Sequence, residues 1–243
     1  MSADDSDRAM TQARLNIGRA GARYTTASLL NFRADHARAV DAVMTEVSAG
    51  WPRRNGLIEF HSAAATRDEY LHHPERGRRL RADEIAKLKA LNFPSRKKDD
   101  SKPSVLIFIG DGLSSAAVEA NAAPLMRTLL NTLREKYRLL KPLFIRNARV
   151  RIEDHLGEIL RPVLVCMIVG ERPGLATADS LSAYVIYRPR LKSLESDRTV
   201  ISNIHRSGIP IAEAARKIAA LVDGALAHRA TGTRLAAILA AIE

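Results

Sequence analysis

Two stretches of this chain constrain its fold more than any others: Val105-Leu106-Ile107-Phe108-Ile109 and Val163-Leu164-Val165-Cys166-Met167-Ile168-Val169. A strand with one face in water alternates apolar and polar residues. An unbroken apolar run of this length reads as a strand covered on both faces, the situation of a parallel sheet between two helical layers. Both runs are too short to span a bilayer. Leu143-Phe144-Ile145, Ala183-Tyr184-Val185-Ile186-Tyr187 and the stretch 200–204 predict three further strands. Helical patterns separate or follow them at about 114–136, 154–160, 210–227 and 231–242. Strands alternating with helices predict βαβ units. The expected fold class is therefore α/β, a Rossmann-like, mostly parallel sheet flanked by helices.

The first hundred residues read differently. Residues 1–26 are polar, interrupted by Gly18 and Gly21, and predict an extended arm. Apolar residues at helical spacing from Leu29 to Val47 predict one long helix at about 27–48, ended by Gly50, Pro52, Asn55 and Gly56. Thr66 is placed to cap a short helix at 67–73, closed by Pro74. A further helix at 82–92 stops at Pro94. A charged linker runs from Arg96 to Pro103. The expected division is a helical N-terminal extension over 1–100 and an α/β domain over 101–243.

The 243 residues carry a net charge of +11 and a pI near 10.2. A basic chain invites a nucleic-acid reading, so the distribution of the charge decides. The densest patch, 76–98, mixes Glu75, Asp83 and Glu84 among its cations. Single-strand binders interleave such cations with stacking aromatics; here Tyr70 and Phe93 are nearest and neither interleaves. A solvated face, or one that docks an acidic partner, fits better than nucleic acid. One cysteine, Cys166, excludes an internal disulfide and reads as a buried core thiol. The first twenty residues have no hydrophobic segment, so neither a secretory signal nor a membrane location is expected. The expected location is the cytoplasm.

Chemistry in an open α/β sheet belongs outside the carboxyl ends of the strands. Two loops there stand out. Gly110-Asp111-Gly112-Leu113-Ser114-Ser115 joins a strand to a helix and resembles a dinucleotide fingerprint, but Ser115 occupies the third glycine's place. Its two readings are a phosphate cradle, as in a nicotinamide-dependent oxidoreductase, and a tight strand-to-helix turn. Gly170-Glu171-Arg172-Pro173-Gly174-Leu175 offers a carboxylate, either as a hydrogen-bond acceptor for a ligand or as an ion-pair partner of Arg172. No His-Glu-x-x-His, Cys-x-x-Cys or Gly-x-Ser-x-Gly pattern occurs. Neither catalytic nor metal-binding residues are expected in this chain.

Six strings, in this order, carry a resemblance. They are Gly18-Arg19-Ala20-Gly21, Phe32-Arg33-Ala34-Asp35-His36-Ala37, Gly110-Asp111-Gly112-Leu113-Ser114, Gly170-Glu171-Arg172-Pro173-Gly174-Leu175, Asp179-Ser180-Leu181 and Ile201-Ser202-Asn203-Ile204-His205. Over about residues 14–220 the chain resembles the small (light) subunit of ethanolamine ammonia-lyase. The resemblance implies a hetero-oligomer with a large barrel subunit that holds ethanolamine. Adenosylcobalamin lies between the two, and radical chemistry yields acetaldehyde and ammonia. The cofactor carries the hard chemistry in such an enzyme. No Asp-x-His-x-x-Gly string occurs, in keeping with the base-on cofactor that the resemblance implies. By motif, the cofactor-binding positions fall on Val150, Glu171 and Val200. The family pattern has cysteine at the last of these, so Val200 keeps a backbone contact and loses a thiol contact. The resemblance also implies a bacterial microcompartment as a setting, for which the N-terminal arm is the natural place of a packaging signal.

Overall fold

The fold is that of a computed structural model describing residues 18–91, 93 and 102–241. The arm up to residue 17, Asn92, linker residues 96–101 and Ile242 lie outside the described residues. The two apolar runs form β4 (Ser104–Gly110) and β7 (Leu164–Gly170), adjacent and parallel at the centre of the sheet. Every residue of both strands is buried. Side chains alternate between two cores. Val105, Ile107, Ile109, Leu164, Cys166 and Ile168 face one; Leu106, Phe108, Val165, Met167 and Val169 face the other. The unbroken apolar pattern has this cause: both pleat directions meet protein. Burial pushes the Cys166 thiol well up, so it behaves as an apolar core group.

The other strands are β3 (Ile58–His61), β5 (Arg138–Leu139), β6 (Leu143–Arg146), β8 (Leu181–Tyr187) and β9 (Arg198–Ile204), and the sheet order is β3-β6-β4-β7-β8-β9. β5 pairs with the start of β4 and β6 with its end. A separate hairpin joins β1 (Arg19–Ala20) to β2 (Arg23–Tyr24). The helices are α1 (Thr26–Met44), α2 (Trp51–Arg54), α3 (Arg67–His72), α4 (Ala82–Ala90), α5 (Ser115–Ala117), α6 (Ala123–Leu133), α7 (Ile152–Leu160), α8 (Ile211–His228) and α9 (Gly232–Ala240). A π-helical turn, Val118–Ala122, joins α5 to α6. Helices α6, α8 and α9 cover the first core, α4 and α7 the second. The architecture is a mixed α/β sheet flanked by helices.

Two expectations need correction. The N-terminal hundred residues are not purely helical: Ile58–His61 forms the edge strand β3, parallel to β6. Its register sets Phe60 into the second core while Glu59 faces out and pairs with Arg146 at 2.7 Å. The last two strands are not βαβ crossovers. β8 runs antiparallel to β7, and β9 antiparallel to β8. Only ten residues separate β7 from β8, and a parallel return needs a crossover of a dozen or more, usually a helix.

Helix α1 starts where predicted but ends at Met44, short of the expected residue 48. Thr25 caps it, its hydroxyl accepting from Ser28 N–H at 3.2 Å. Only Ala42 of its nineteen residues is buried.

Candidate functional site

At the carboxyl edge of the sheet the chain leaves β4 toward one face, through α5 and α6, and leaves β6 toward the other, through α7. Open sheets form a crevice where successive connections part in this way. A cleft of about 390 Å³ lies there. The loops after β4, β6 and β7 and the neighbouring ends of β8 and β9 form it, with Gly112, Ala148, Arg149, Val150, Glu171 and Ser202 among its lining residues.

The loop after β4 is locked to its neighbours. Gly112 has φ +62°, and a Cβ on it would lie 2.3 Å from the Gly170 carbonyl oxygen. Only glycine allows both that backbone conformation and that approach. Leu113 N–H donates to the same oxygen at 3.0 Å. Asp111 is fully buried and accepts from Asn147 N–H at 2.8 Å and Ala148 N–H at 3.0 Å, tying the loop to the one after β6. Burial pushes its carboxyl above the usual range, against the pull of those donors and Arg67. Arg67 donates to the Gly112 and Leu113 carbonyls and stacks over Tyr70, 4.7 Å from the ring centroid. Arg149 lies over the same ring at 4.2 Å. Three donors of this turn are already taken. Leu113 N–H bonds Gly170, Ala117 N–H bonds the Ser114 hydroxyl, and Ser115 is buried with its hydroxyl on the Thr45 carbonyl. The Gly-Asp-Gly string is a strand-to-helix turn that shapes the cleft.

The loop after β7 supplies Glu171. Its backbone N–H donates to the Ser180 carbonyl at 3.0 Å, which fixes where the side chain starts. Its Oε1 accepts from the Ser182 hydroxyl at 2.5 Å and from Asn203 N–H at 3.0 Å. Among the described residues no cation pairs with Glu171, Arg172 included. The other oxygen, Oε2, has no hydrogen-bond partner among them. Asn203 reaches Glu171 because its backbone is left-handed, φ +61°, and its Oδ1 sits 2.7 Å from His205 Nε2. His205 Nδ1 accepts from Ser207 N–H, so Nε2 carries the proton that bonds Asn203.

Of the three positions singled out from the sequence, Val150 and Glu171 line the cleft together. Val200 stands directly across the ladder from Tyr184, a cleft residue, and is 44% exposed; it is beside the cleft rather than part of its lining. Sequence reasoning passed over Arg149, Ser182, Ser202 and, as a site residue, Tyr70. The serines are twenty residues apart and meet at 3.0 Å only because β8 and β9 pair antiparallel. Among the described residues, no group of three His, Cys, Asp or Glu side chains could hold a metal ion, and no helix is long and apolar enough to cross a membrane.

The described residues form a mixed α/β fold with a cleft at the carboxyl edge of its sheet, bordered by glycine-shaped loops. The profile of the ethanolamine ammonia-lyase light chain (EutC) family matches residues 4–236, and the chain belongs to that family. It is 43% identical over 230 residues to the ethanolamine ammonia-lyase small subunit of Clostridioides difficile, covering 94% of this chain and 76% of that one. It is 42% identical over 226 residues to the small subunit of Fusobacterium nucleatum, covering 93% and 74%. The small subunit of Clostridium perfringens is likewise 42% identical over 229 residues, covering 94% and 75%.

Proposed function

We propose that this chain is the small subunit of an adenosylcobalamin-dependent ethanolamine ammonia-lyase and holds one side of the cofactor at the interface with a large catalytic subunit. The observation that carries this reading is the cleft itself. Its 390 Å³ is far too small to enclose a corrin with its nucleotide tail, yet it offers fixed polar groups at a sheet edge. Such a surface suits half of a shared site. The residues present fit the group: Glu171 and Ser202 offer oxygens to amides or hydroxyls, Val150 gives apolar surface beside them, and Val200 flanks the same face. When bound, the cofactor supplies a radical by cobalt–carbon cleavage, and the substrate loses ammonia to give acetaldehyde. This chain binds and orients; among the described residues no set is arranged to hold ethanolamine.

The N-terminal part, residues 1–100, contributes the docking surface. Leu29, Val40 and Met44, eleven and then four residues apart, share one face of α1 and are 40–56% exposed. An apolar stripe on a helix of this length marks a surface that meets another protein. Residues 101–243 form the cofactor-binding part, with the base-on cofactor that the family resemblance implies.

The test is Glu171→Gln in the assembled enzyme. Glutamine's oxygen keeps the Ser182 and Asn203 bonds, so its NH₂ turns toward the ligand, donor against donor. Cofactor affinity is expected to fall by about 1.5–3 kcal/mol, roughly ten- to a hundredfold, with the melting temperature unchanged. Unchanged cofactor affinity beside a lowered melting temperature assigns Glu171 to the scaffold instead.

A further inference from the structure

A second cavity lies at the other edge of the sheet. Strand β7 runs from Leu164 to Gly170, and Gly170 borders the cleft described above. At about 3.3 Å per residue the two ends of the strand lie about 20 Å apart. Because β8 is antiparallel, its last residue, Tyr187, pairs with Leu164, and the chain that follows emerges at this amino edge. Helix α7 ends at the same edge, three residues before β7 begins. The cavity there has a volume of about 480 Å³. Arg138, Arg161, Arg188 and Arg190 line it, over a floor that includes Phe93, Leu140 and Leu160. No carboxylate stands among its described lining residues, and among the described residues none pairs with Arg161, Arg188 or Arg190. Two of these arginines are held in a costly conformation. Arg161 has φ +51° and Arg188 φ +47°, a left-handed backbone that bulky side chains seldom take. Each precedes a buried proline, Pro162 and Pro189. Gly157 of α7 lets the second turn pack down, since a Cβ there would lie 2.4 Å from the Pro189 carbonyl oxygen. Arg188 N–H then donates to the Val163 carbonyl at 2.9 Å, and Arg190 donates to the Gly157 and Pro189 carbonyls at 3.2 and 2.8 Å. Among the described residues the Arg161 and Arg188 guanidiniums donate no hydrogen bond; Arg188 rests over the Tyr187 ring, 5.4 Å from its centroid.

We propose that this cavity binds a small organic phosphate, its phosphate oxygens on Arg161, Arg188 and Arg190 and its apolar body on the floor of Phe93, Leu140 and Leu160. A guanidinium is always charged and presents a planar fork that fits phosphate in a bidentate way. Two such forks stand unused here, and gathering like charges in one cavity is unfavourable until an anion joins them. A phosphate, with up to two charges and three acceptor oxygens, engages more than one arginine at once, which a single carboxylate does less well. The volume falls within the range of about 300–1,000 Å³ usual for small-molecule pockets. Cations around a partly buried apolar floor suit a compact ligand better than an acidic segment of a partner protein, which needs an open face. The proposal does not rest on the cofactor reading, and the two sites lie at opposite ends of β7.

The experiment titrates the assembled enzyme by calorimetry with adenosine diphosphate, inorganic pyrophosphate and adenosine. Salt is fixed, divalent cations are left out, and each titration is run with and without adenosylcobalamin. Adenosine diphosphate is expected to saturate one site per small subunit, with the same affinity in both states. Pyrophosphate, which lacks the apolar body, is expected to bind several-fold more weakly, and adenosine not measurably. Arg161→Gly and Arg188→Gly each remove a cation where the left-handed backbone favours glycine. Each is expected to weaken adenosine diphosphate about tenfold or more, with the melting temperature held within about two degrees. Absence of saturable binding overturns the proposal, as does binding that survives both substitutions. Binding that adenosylcobalamin abolishes belongs to the other cleft and overturns it too. Pyrophosphate as tight as the nucleotide overturns the assignment of an organic ligand. A melting temperature that falls in both variants assigns the arginines to the scaffold. Weakened association with the large subunit, in place of weakened probe binding, assigns them to an acidic segment of that partner, and the proposal falls.

Discussion

Arg198 reaches from the start of β9 into a closed group of charges at the N-terminus of α7. Its Nε lies 3.1 Å from Glu153 Oε2, another guanidinium nitrogen bonds Asp154, and a third donates to the Leu194 carbonyl at 2.8 Å. Burial raises the Glu153 carboxyl well above the usual range and raises Asp154 as well, in each case against the pull of Arg198. A buried group of this kind is weak evidence for stability, but it fixes β9 against α7, four residues before Ser202. The next residue, His155, bears on pH. Its Nδ1 accepts from Leu80 N–H at 2.9 Å, and burial, then the Arg79 charge, lowers its pKa from 6.5. The fold therefore holds this ring neutral. Its contribution is full above the unfolded value of about 6.5 and is lost as pH falls through the lower folded value, because the unfolded chain then binds the extra proton. The raised carboxyls act in the opposite sense, but they are common to wild type and variant. We expect the melting temperature of the wild type to fall more steeply between pH 7 and 5.5 than that of His155→Gln. Calorimetric scans across that range check it, and parallel curves would show that His155 titrates alike in both states.

Among the elements, α1 departs furthest from the behaviour of a packed helix. Its capped start follows the hairpin, yet Leu29, Val40 and Met44 on one of its faces are 40–56% exposed. Helices of nineteen residues with one buried side chain draw little tertiary support, so the stripe gains most when another surface covers it. Val40→Glu together with Met44→Glu should leave the melting temperature of the isolated chain within about a degree, since both side chains are already exposed. The same pair should weaken association with the large subunit tenfold or more, read by analytical ultracentrifugation. A lowered melting temperature with intact assembly would place the stripe inside this chain's own fold. Elements with strong local signals were legible in the sequence: the start of α1, α3 with its Thr66 cap, and the two central strands stand where pattern and capping put them. Elements fixed by distant partners were not. β3 has four residues, Ile-Glu-Phe-His, and exists because β6 pairs with it. The directions of β8 and β9 follow from the length of the β7–β8 connection rather than from their composition. The site divides in the same way. Glu171 and Val150 sit in strings a reader can recognise, whereas Ser182 and Ser202 become neighbours only through antiparallel pairing.

At the scale of the whole molecule, a cleft that holds one side of its ligand has a thermodynamic consequence. If adenosylcobalamin binds the assembled enzyme and neither subunit alone, its free energy of binding is also free energy of assembly, and the coupling is reciprocal. With free cofactor at about 100 times its dissociation constant, the assembled form gains about 2.7 kcal/mol. The apparent dissociation constant between small and large subunit should then fall roughly a hundredfold, and the isolated chain should show neither lyase turnover nor tight cofactor binding. The basic balance of the chain, +11 overall, adds a salt-dependent attraction to an acidic partner, but that part is present with and without cofactor and cancels in the comparison. Measuring subunit affinity by fluorescence anisotropy at fixed salt, with and without cofactor, isolates the coupling. A subunit affinity indifferent to cofactor would mean that the cofactor touches only one partner, and with tight binding by the large subunit alone the cleft at the carboxyl edge of this sheet would lose its assigned ligand.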